Sequence, residues 1–324
     1  MSDLQTIRKP VATELEKFQP YFSNFLKSNS KLLNIIIFYL LKQKGKQIRP
    51  LLVFLSAKMF GTVCDKTYQA AAFIEMMHTA SLVHDDVVDE SDMRRGFWSI
   101  NAIWKNKASV LLGDFLLAKG LLLAVDNQGY DLLQIVSQAV EEMSEGELLQ
   151  MEKARHLNIT EQDYYQIIRQ KTAALMVACT KAGACSVGAS ESDMQKMADL
   201  GDCMGKAFQI RDDLFDYDAS AQSGKPVGND IIERKMTLPL IYSLNNCSKS
   251  DRRHIIKLMR KKQKSPTDVQ QVIDFVMAHN GVEYARQQMK NLSDKALQIL
   301  ATLPQNEANQ SLVDIVSYIV DRKK

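Results

Sequence analysis

Apolar residues return every three or four positions along most of this chain, the period of helices that bury one face. The spacing predicts helices over 11–27, 31–43, 51–59, 68–90, 108–124, 132–151, 164–187 and 197–216. It resumes over 240–244, 249–264, 266–279, 282–300 and 309–322. No stretch alternates with the period of two of a half-buried strand, no unit repeats at fixed length, and no linker is long enough to divide the chain. The pattern predicts an all-α protein, with residues 1–324 as a single domain. One interval breaks the helical rhythm with Ser, Gly and Pro, from Ala219 to Asp230 around Gly224-Lys225-Pro226, and it is expected to act as a lid over a charged site.

Composition sharpens this picture only in places. A hydrophobic share of 46% with 24% charged residues is that of a soluble globular protein, and 14 Gly with 7 Pro over 324 residues leave room for long helices. The net charge of +3 does not point to nucleic acid as a partner. Cysteines 64, 179, 185, 203 and 247 form no Cys-x-x-Cys pair, which fits buried thiols in a reducing compartment. Met1 to Pro10 lacks the apolar core of a signal peptide, so the expected location is cytoplasmic. The most apolar run, 35–41, is far shorter than the roughly 20 residues of a membrane span. Residues 249–264 carry many Lys and Arg around Ile255, Ile256, Leu258 and Met259, a solvated helix face or one weakly drawn to an anionic membrane surface.

Candidate chemistry concentrates in Ser81-Leu82-Val83-His84-Asp85-Asp86-Val87-Val88-Asp89. On a helix, Asp85 and Asp89 project from one side, and converging carboxylates repel unless a cation lies between them. Oxygen ligands, few in number and completed by phosphate oxygens, suit Mg²⁺. A second copy, Asp212-Asp213-Leu214-Phe215-Asp216, follows more than a hundred residues later, so two helices can clamp a metal-diphosphate from both sides. Asp85, Asp89 and Asp212 are the expected metal ligands, and Asp86 and Asp213 are counted with the catalytic carboxylates. Arg94, Lys171 and Lys225 are placed to neutralise the same diphosphate, which makes it a leaving group. Lys46, Arg49, His78 and Arg95 then serve a second diphosphate, whose alkene attacks the carbocation left behind. Apolar helix faces keep water from that cation. No Ser-His-Asp set, cysteine nucleophile or zinc-ligand cluster competes as a catalytic centre.

Several stretches in order resemble the trans-type polyprenyl diphosphate synthases. They are Gly45-Lys46-Gln47-Ile48-Arg49-Pro50, His78 to Asp89, Arg94-Arg95-Gly96, Leu111-Leu112-Gly113-Asp114, Lys171-Thr172, Gln209 to Asp213, Gly224-Lys225-Pro226 and Thr237-Leu238-Pro239. The resemblance implies an isoprenoid synthase type I helical bundle around a deep central cavity, usually a homodimer. It also implies head-to-tail addition of isopentenyl diphosphate to an allylic diphosphate with Mg²⁺, three ions per active site. By the same resemblance Lys46, Arg49, His78 and Arg95 bind isopentenyl diphosphate, and Arg94, Lys171, Thr172, Gln209 and Lys225 serve the allylic substrate. The chain departs from the family at Phe97-Trp98-Ser99, where a Pro-containing stretch is more usual, and at Arg234, where Gly often stands.

Product length is expected to follow from the helix turns before Asp85, along which a growing chain must extend. Ala80 and Ser81 are small where short-chain relatives carry a blocking aromatic ring, Met77 and Ile74 line deeper turns, and Phe115 or Leu122 is expected as the floor. This predicts a product of six to eight isoprene units; farnesyl or geranylgeranyl diphosphate as primer and a quinone side chain as destination are what the resemblance implies. Rival readings are a short-chain synthase, a terpene cyclase, a silent subunit of a heteromeric synthase and a purely structural helical protein. The second Asp-Asp-x-x-Asp weighs against the cyclase, and two intact acidic motifs weigh against the silent subunit.

Overall fold

The computed structural model describes residues 4–43, 45–94, 96–218 and 227–321, without the side chains of Arg94, Arg155 and His156. In chain order the helices are α1 (Leu4–Arg8), α2 (Ala12–Phe25), α3 (Lys31–Lys42), α4 (Ile48–Phe60), α5 (Asp65–Val88), α6 (Ile100–Asp126), α7 (Tyr130–His156) and α8 (Glu161–Ile168). There follow α9 (Ala174–Ser186), α10 (Glu191–Phe215), α11 (Asn229–Ile232), α12 (Leu238–Asn245), α13 (Lys249–Arg260), α14 (Pro266–Ala278), α15 (Gly281–Ala301) and α16 (Glu307–Asp321). The all-helical expectation holds, and six of the sixteen helix starts among the described residues carry a Ser or Thr cap. Ser30, Ser99, Thr160, Ser190, Ser248 and Ser265 each accept a hydrogen bond from a backbone N–H of the first turn. Such caps satisfy donors that the helix itself leaves unpaired.

Three local features depart from the periodic reading. The interval 164–187 is not one helix: α8 runs into a π-helical turn, Arg169–Ala173, before α9 begins. A short antiparallel hairpin, β1 (Met93–Arg94) with β2 (Phe97–Trp98), sits where no strand was expected. Gly96 at φ +79° supplies its turn. Within α6, Lys105 breaks the helix with φ 68° and ψ 169°. Two residues carry no pattern of polarity, and a single wide turn leaves the apolar period intact, so neither hairpin nor π-turn is visible to a period count.

One apolar core runs from Ile7 to Ile319, with Leu51, Leu52, Phe54, Phe73, Leu112 and Leu116 fully buried at its centre. The small residues show where helices touch backbone to backbone. A Cβ on Gly183 of α9 would stand 2.4 Å from the Val53 carbonyl oxygen of α4. A Cβ on Gly113 would stand 2.0 Å from the His84 ring, and one on Gly120 2.5 Å from the Met77 methyl. These last two glycines lie seven residues apart on α6 and draw it against α5. The cysteines are all free; Cys179 and Cys203 are buried as expected, Cys185 and Cys247 are half-buried, and Cys64 is exposed.

Candidate active site

Both acidic motifs lie at helix C-termini. Asp85 is in the last turn of α5 and Asp89 is its C-cap, its N–H donating to the Asp85 carbonyl at 2.8 Å. Both are exposed, as the shared face predicts. Asp212, in the last turn of α10, is exposed too. A helix C-terminus already carries partial negative charge, so carboxylates added there are doubly unfavourable until a cation arrives. Among the described residues no three or more His, Cys, Asp or Glu gather closely enough to enclose a metal. A site of one or two carboxylates per ion, completed by phosphate oxygens and water, is how Mg²⁺ is ordinarily held beside a diphosphate. The donor set therefore fits Mg²⁺ delivered with its substrate.

The inner members of the motifs sit differently from the expected catalytic carboxylates. One residue on from Asp85 a helix turns by about 100°, and Asp86 is accordingly only 3% exposed. It lines a cavity of ≈ 100 Å³ with His78, Thr79, Glu75, Gly45 and Gln47. Asp213, 5% exposed, accepts hydrogen bonds from the Tyr164 hydroxyl at 2.7 Å and from Gln209 Nε2 at 2.9 Å. Burial pushes the Asp213 carboxyl up to about 7, with the charge of Asp230 adding to it. Asp216 faces inward as well, accepting from the Asp230 N–H and so tying the end of α10 to the start of α11. The outward carboxylates present charge, while Asp213 and Asp216 of the second motif are held by hydrogen bonds to neighbouring elements.

The π-turn carries two expected substrate residues, Lys171 and Thr172. Lys171 Nζ pairs with Glu147 at 2.5 Å and donates to Gln150 Oε1 at 3.4 Å; both charges are partly exposed, not enclosed in the Ala-lined interior the sequence suggests. Thr172 Oγ1 donates to Gln209 Oε1 at 2.7 Å, and Gln209 in turn donates to Asp213. The chain Thr172–Gln209–Asp213–Tyr164 therefore links α8, the π-turn and α10. Two glycines admit the crowded turn: a Cβ on Gly205 would stand 2.4 Å from the Ala173 Cα, and one on Gly146 2.7 Å from the Gln170 Cβ. Wide turns of this kind often mark functional positions in helices.

The second cationic group lies across α3, α4 and the hairpin. Lys46 is exposed in the loop before α4, Arg49 is half-buried in its first turn, and His78 is 7% exposed on α5. Gln47 between them takes a left-handed conformation, φ 46°. Arg94 lies on β1, opposite Phe97. The Trp98 carbonyl accepts from Tyr39 Oη at 2.7 Å and Gln43 Nε2 at 3.2 Å, which anchors the hairpin to α3. Arg95 and Lys225, both expected substrate residues, lie outside the described residues, as does most of the expected lid. Arg234, at a position where glycine is frequent, holds φ 62°.

Of the expected chain-length residues, Ala80 and Ile74 are fully buried, Met77 is 4% exposed and Ser81 half-buried. Met77 and Phe73 abut Gly120 of α6, so the seam between α5 and α6 closes around their side chains. Leu122 cannot be a floor. It is 53% exposed on the outer side of α6, whereas Phe115 is partly buried against the core. The period alone marks both sides of α6 as apolar and does not say which meets α5. The sequence pattern gives no role to Tyr164, nor to Gly146 of α7 and Gly205 of α10, which flank the π-turn; Glu147 shows only as one acid on a mixed helix face. Isolated glycines inside helical patterns were the available signal.

Residues 30–276 match the polyprenyl synthetase family. The octaprenyl diphosphate synthase of Haemophilus influenzae is 33% identical over 323 residues, covering 99% of this chain and 98% of that protein. The crystal structure of a decaprenyl diphosphate synthase from Rhodobacter capsulatus superposes with a TM-score of 0.93 at 34% identity, over 99% of this chain and 100% of that one. That of a polyprenyl synthase from Caulobacter crescentus, complexed with calcium and isoprenyl diphosphate, gives 0.90 at 29% identity, over 99% and 98%. With Asp85, Asp89 and Asp212 exposed at the ends of α5 and α10 in the same helical fold, this chain belongs to the polyprenyl synthetase family and is a prenyltransferase.

Proposed function

We propose that the enzyme joins isopentenyl diphosphate head to tail to an allylic diphosphate, farnesyl or geranylgeranyl, and repeats the step to make an all-trans polyprenyl diphosphate of six to eight isoprene units for a quinone side chain. The observation that carries this is the exposure of Asp85, Asp89 and Asp212 at two helix C-termini, with the π-turn of Lys171 and Thr172 bonded to the second of those helices. Full-length similarity to an octaprenyl synthase and the small Ala80 and Ser81 support a long product.

Asp85, Asp89 and Asp212 would hold Mg²⁺, three ions per site, which when bound withdraws charge from the allylic diphosphate as it leaves. Lys171, Thr172 and Gln209 orient that diphosphate, their positions set by Glu147 and Asp213. Lys46, Arg49 and His78 hold isopentenyl diphosphate with its alkene toward the allylic carbon. The apolar walls of α5 and α6 exclude water from the developing cation, and the released pyrophosphate accepts the proton that closes the new double bond.

A homodimer is supported by α6. It is the one helix among the described residues long and apolar enough to cross a membrane, yet only 39% of that window is buried. Its outer side bares Leu111, Leu121, Leu122 and Val125, each 47% exposed or more, which a second copy would cover. A weak contact with anionic membrane is supported by α13 and the residues after it. There Lys249, Arg253, Lys257, Arg260 and Lys262 are exposed. A long lipid product leaves most readily into a bilayer, and each such cation adds about 1 kcal/mol near an anionic surface. Co-sedimentation with anionic but not neutral vesicles is expected; equal behaviour with both would remove this contact.

The reaction is tested by incubating the protein with labelled isopentenyl diphosphate, farnesyl diphosphate and Mg²⁺, then sizing the dephosphorylated products. A ladder ending at one long polyprenol is expected. Label that never leaves isopentenyl diphosphate with farnesyl, geranyl or geranylgeranyl primers would overturn the proposal and direct attention to a missing partner subunit.

A further inference from the structure

Lys46 is gripped from both ends of the chain. The Arg8 guanidinium on α1 donates to its backbone carbonyl, and its Nζ donates to the Tyr318 hydroxyl on α16 at 3.1 Å, across 272 residues. The ammonium stands 5.7 Å from the Tyr318 ring centroid. That is nearly the hydrogen-bond length added to the distance from ring centre to hydroxyl oxygen. The ammonium therefore lies off the hydroxyl end of the ring and not over its face, so the contact is a hydrogen bond and not a cation–π interaction. Helices α1 and α16 pack on one another and α16 packs on α4, which gives the hydroxyl a fixed base. Neighbouring Ile315, Val316 and Ile319 are buried in the core. Both Arg8 and Tyr318 lie outside the stretch, 30–276, that matches the family.

We propose that Tyr318 is a positioning residue for isopentenyl diphosphate, acting through Lys46. The inference rests on the reading that Lys46 binds that substrate. A lysine ammonium on a four-carbon stem loses much rotamer freedom when it fixes a ligand. By accepting one of its N–H donors, Tyr318 holds the head over the loop before substrate arrives. Preorganisation of this kind lowers the cost of binding without adding a contact to substrate. Because Tyr318 acts through Lys46, its influence falls on isopentenyl diphosphate and not on the allylic substrate.

The test uses the full-length enzyme with Mg²⁺ and saturating farnesyl diphosphate while isopentenyl diphosphate is varied. Tyr318→Phe keeps the ring and its packing and removes the acceptor. At the net worth of an ordinary hydrogen bond, its loss predicts a rise of roughly three- to tenfold in KM for isopentenyl diphosphate. The kcat, the KM for farnesyl diphosphate and the Tm should stay at wild-type values. Lys46→Ala should raise the same KM further, and Tyr318→Phe added to it should change nothing more. If Lys46→Ala leaves that KM unchanged, the reading of Lys46 fails and the role of Tyr318 goes with it. An effect for Lys46→Ala but none for Tyr318→Phe would overturn only the positioning role. So would a Tyr318→Phe effect that persists undiminished without Lys46.

Discussion

The Gly205→Ala substitution probes how far the allylic site depends on the π-turn. The added Cβ would stand 2.4 Å from the Ala173 Cα, 2.6 Å from its Cβ and 3.2 Å from its N. Two carbons at ordinary contact are about 3.5 Å apart or more, so α10 and the turn must separate by roughly 1 Å. These atoms are backbone or a short Cβ and cannot swing aside. Overpacking of this kind costs about 1–3 kcal/mol, offset by about 1 kcal/mol because alanine favours a helix interior over glycine. The net loss of stability is therefore small, a few degrees of Tm. Catalysis should suffer more, because the displaced turn carries Lys171 and Thr172, and the Thr172–Gln209–Asp213 chain spans the widened gap. A misplacement of 1 Å in positioning groups can lower a rate by about 10²-fold. The assay is single-condensation turnover with farnesyl and isopentenyl diphosphates, well below the Tm, beside a thermal melt. A variant with wild-type turnover and wild-type KM for farnesyl diphosphate would refute the argument that close approach at Gly205 sets the site.

Ala80→Tyr places a ring at a fully buried position one turn before the first motif; shorter products are expected at near-normal turnover, and an unchanged product distribution would end the tunnel model. Leu111→Glu on the bare side of α6, where Leu111 is 58% exposed, should convert a dimer to monomer in light scattering; an unaltered mass would mean that another face holds the subunits together. Hydrogen bonds from Lys153 and Thr160 hold the Asp163 carboxyl down at about 2, and bonds from Lys261 and Ser265 hold Asp268 at about 2. Both folded values are depressed from about 3.9, so their stabilisation is complete above about pH 4 and fades as pH falls toward 2. The gap in Tm between wild type and Asp163→Asn should therefore close over that interval, and a gap constant from pH 5 to 2 would contradict the assignment.

Much of this protein is set locally. The period of apolar residues determines an all-helical chain, and the spacing of Asp85 and Asp89 determines that their carboxylates share a face, because both follow from helix geometry within a turn or two. Capping serines and Gly96 likewise act through neighbours in sequence. Tertiary structure decided the rest. Which of two adjacent aspartates faces water depends on what packs beside the helix: Asp86 and Asp213 turn inward because α3 and α8 bring a cavity wall and Tyr164 to meet them. Lys171 and Thr172 stand on a π-turn only because Gly146 and Gly205 let two other helices crowd it. Leu122 and Leu116 look alike in the periodic pattern of α6, yet one is bare and the other fully buried, since only the arrival of α5 distinguishes its sides. The grip of Tyr318 on Lys46 joins residues 272 positions apart. No local pattern announces it, because the free energy that brings the chain ends together comes from burying α1 and α16 against the shared core, not from the hydrogen bond they happen to place.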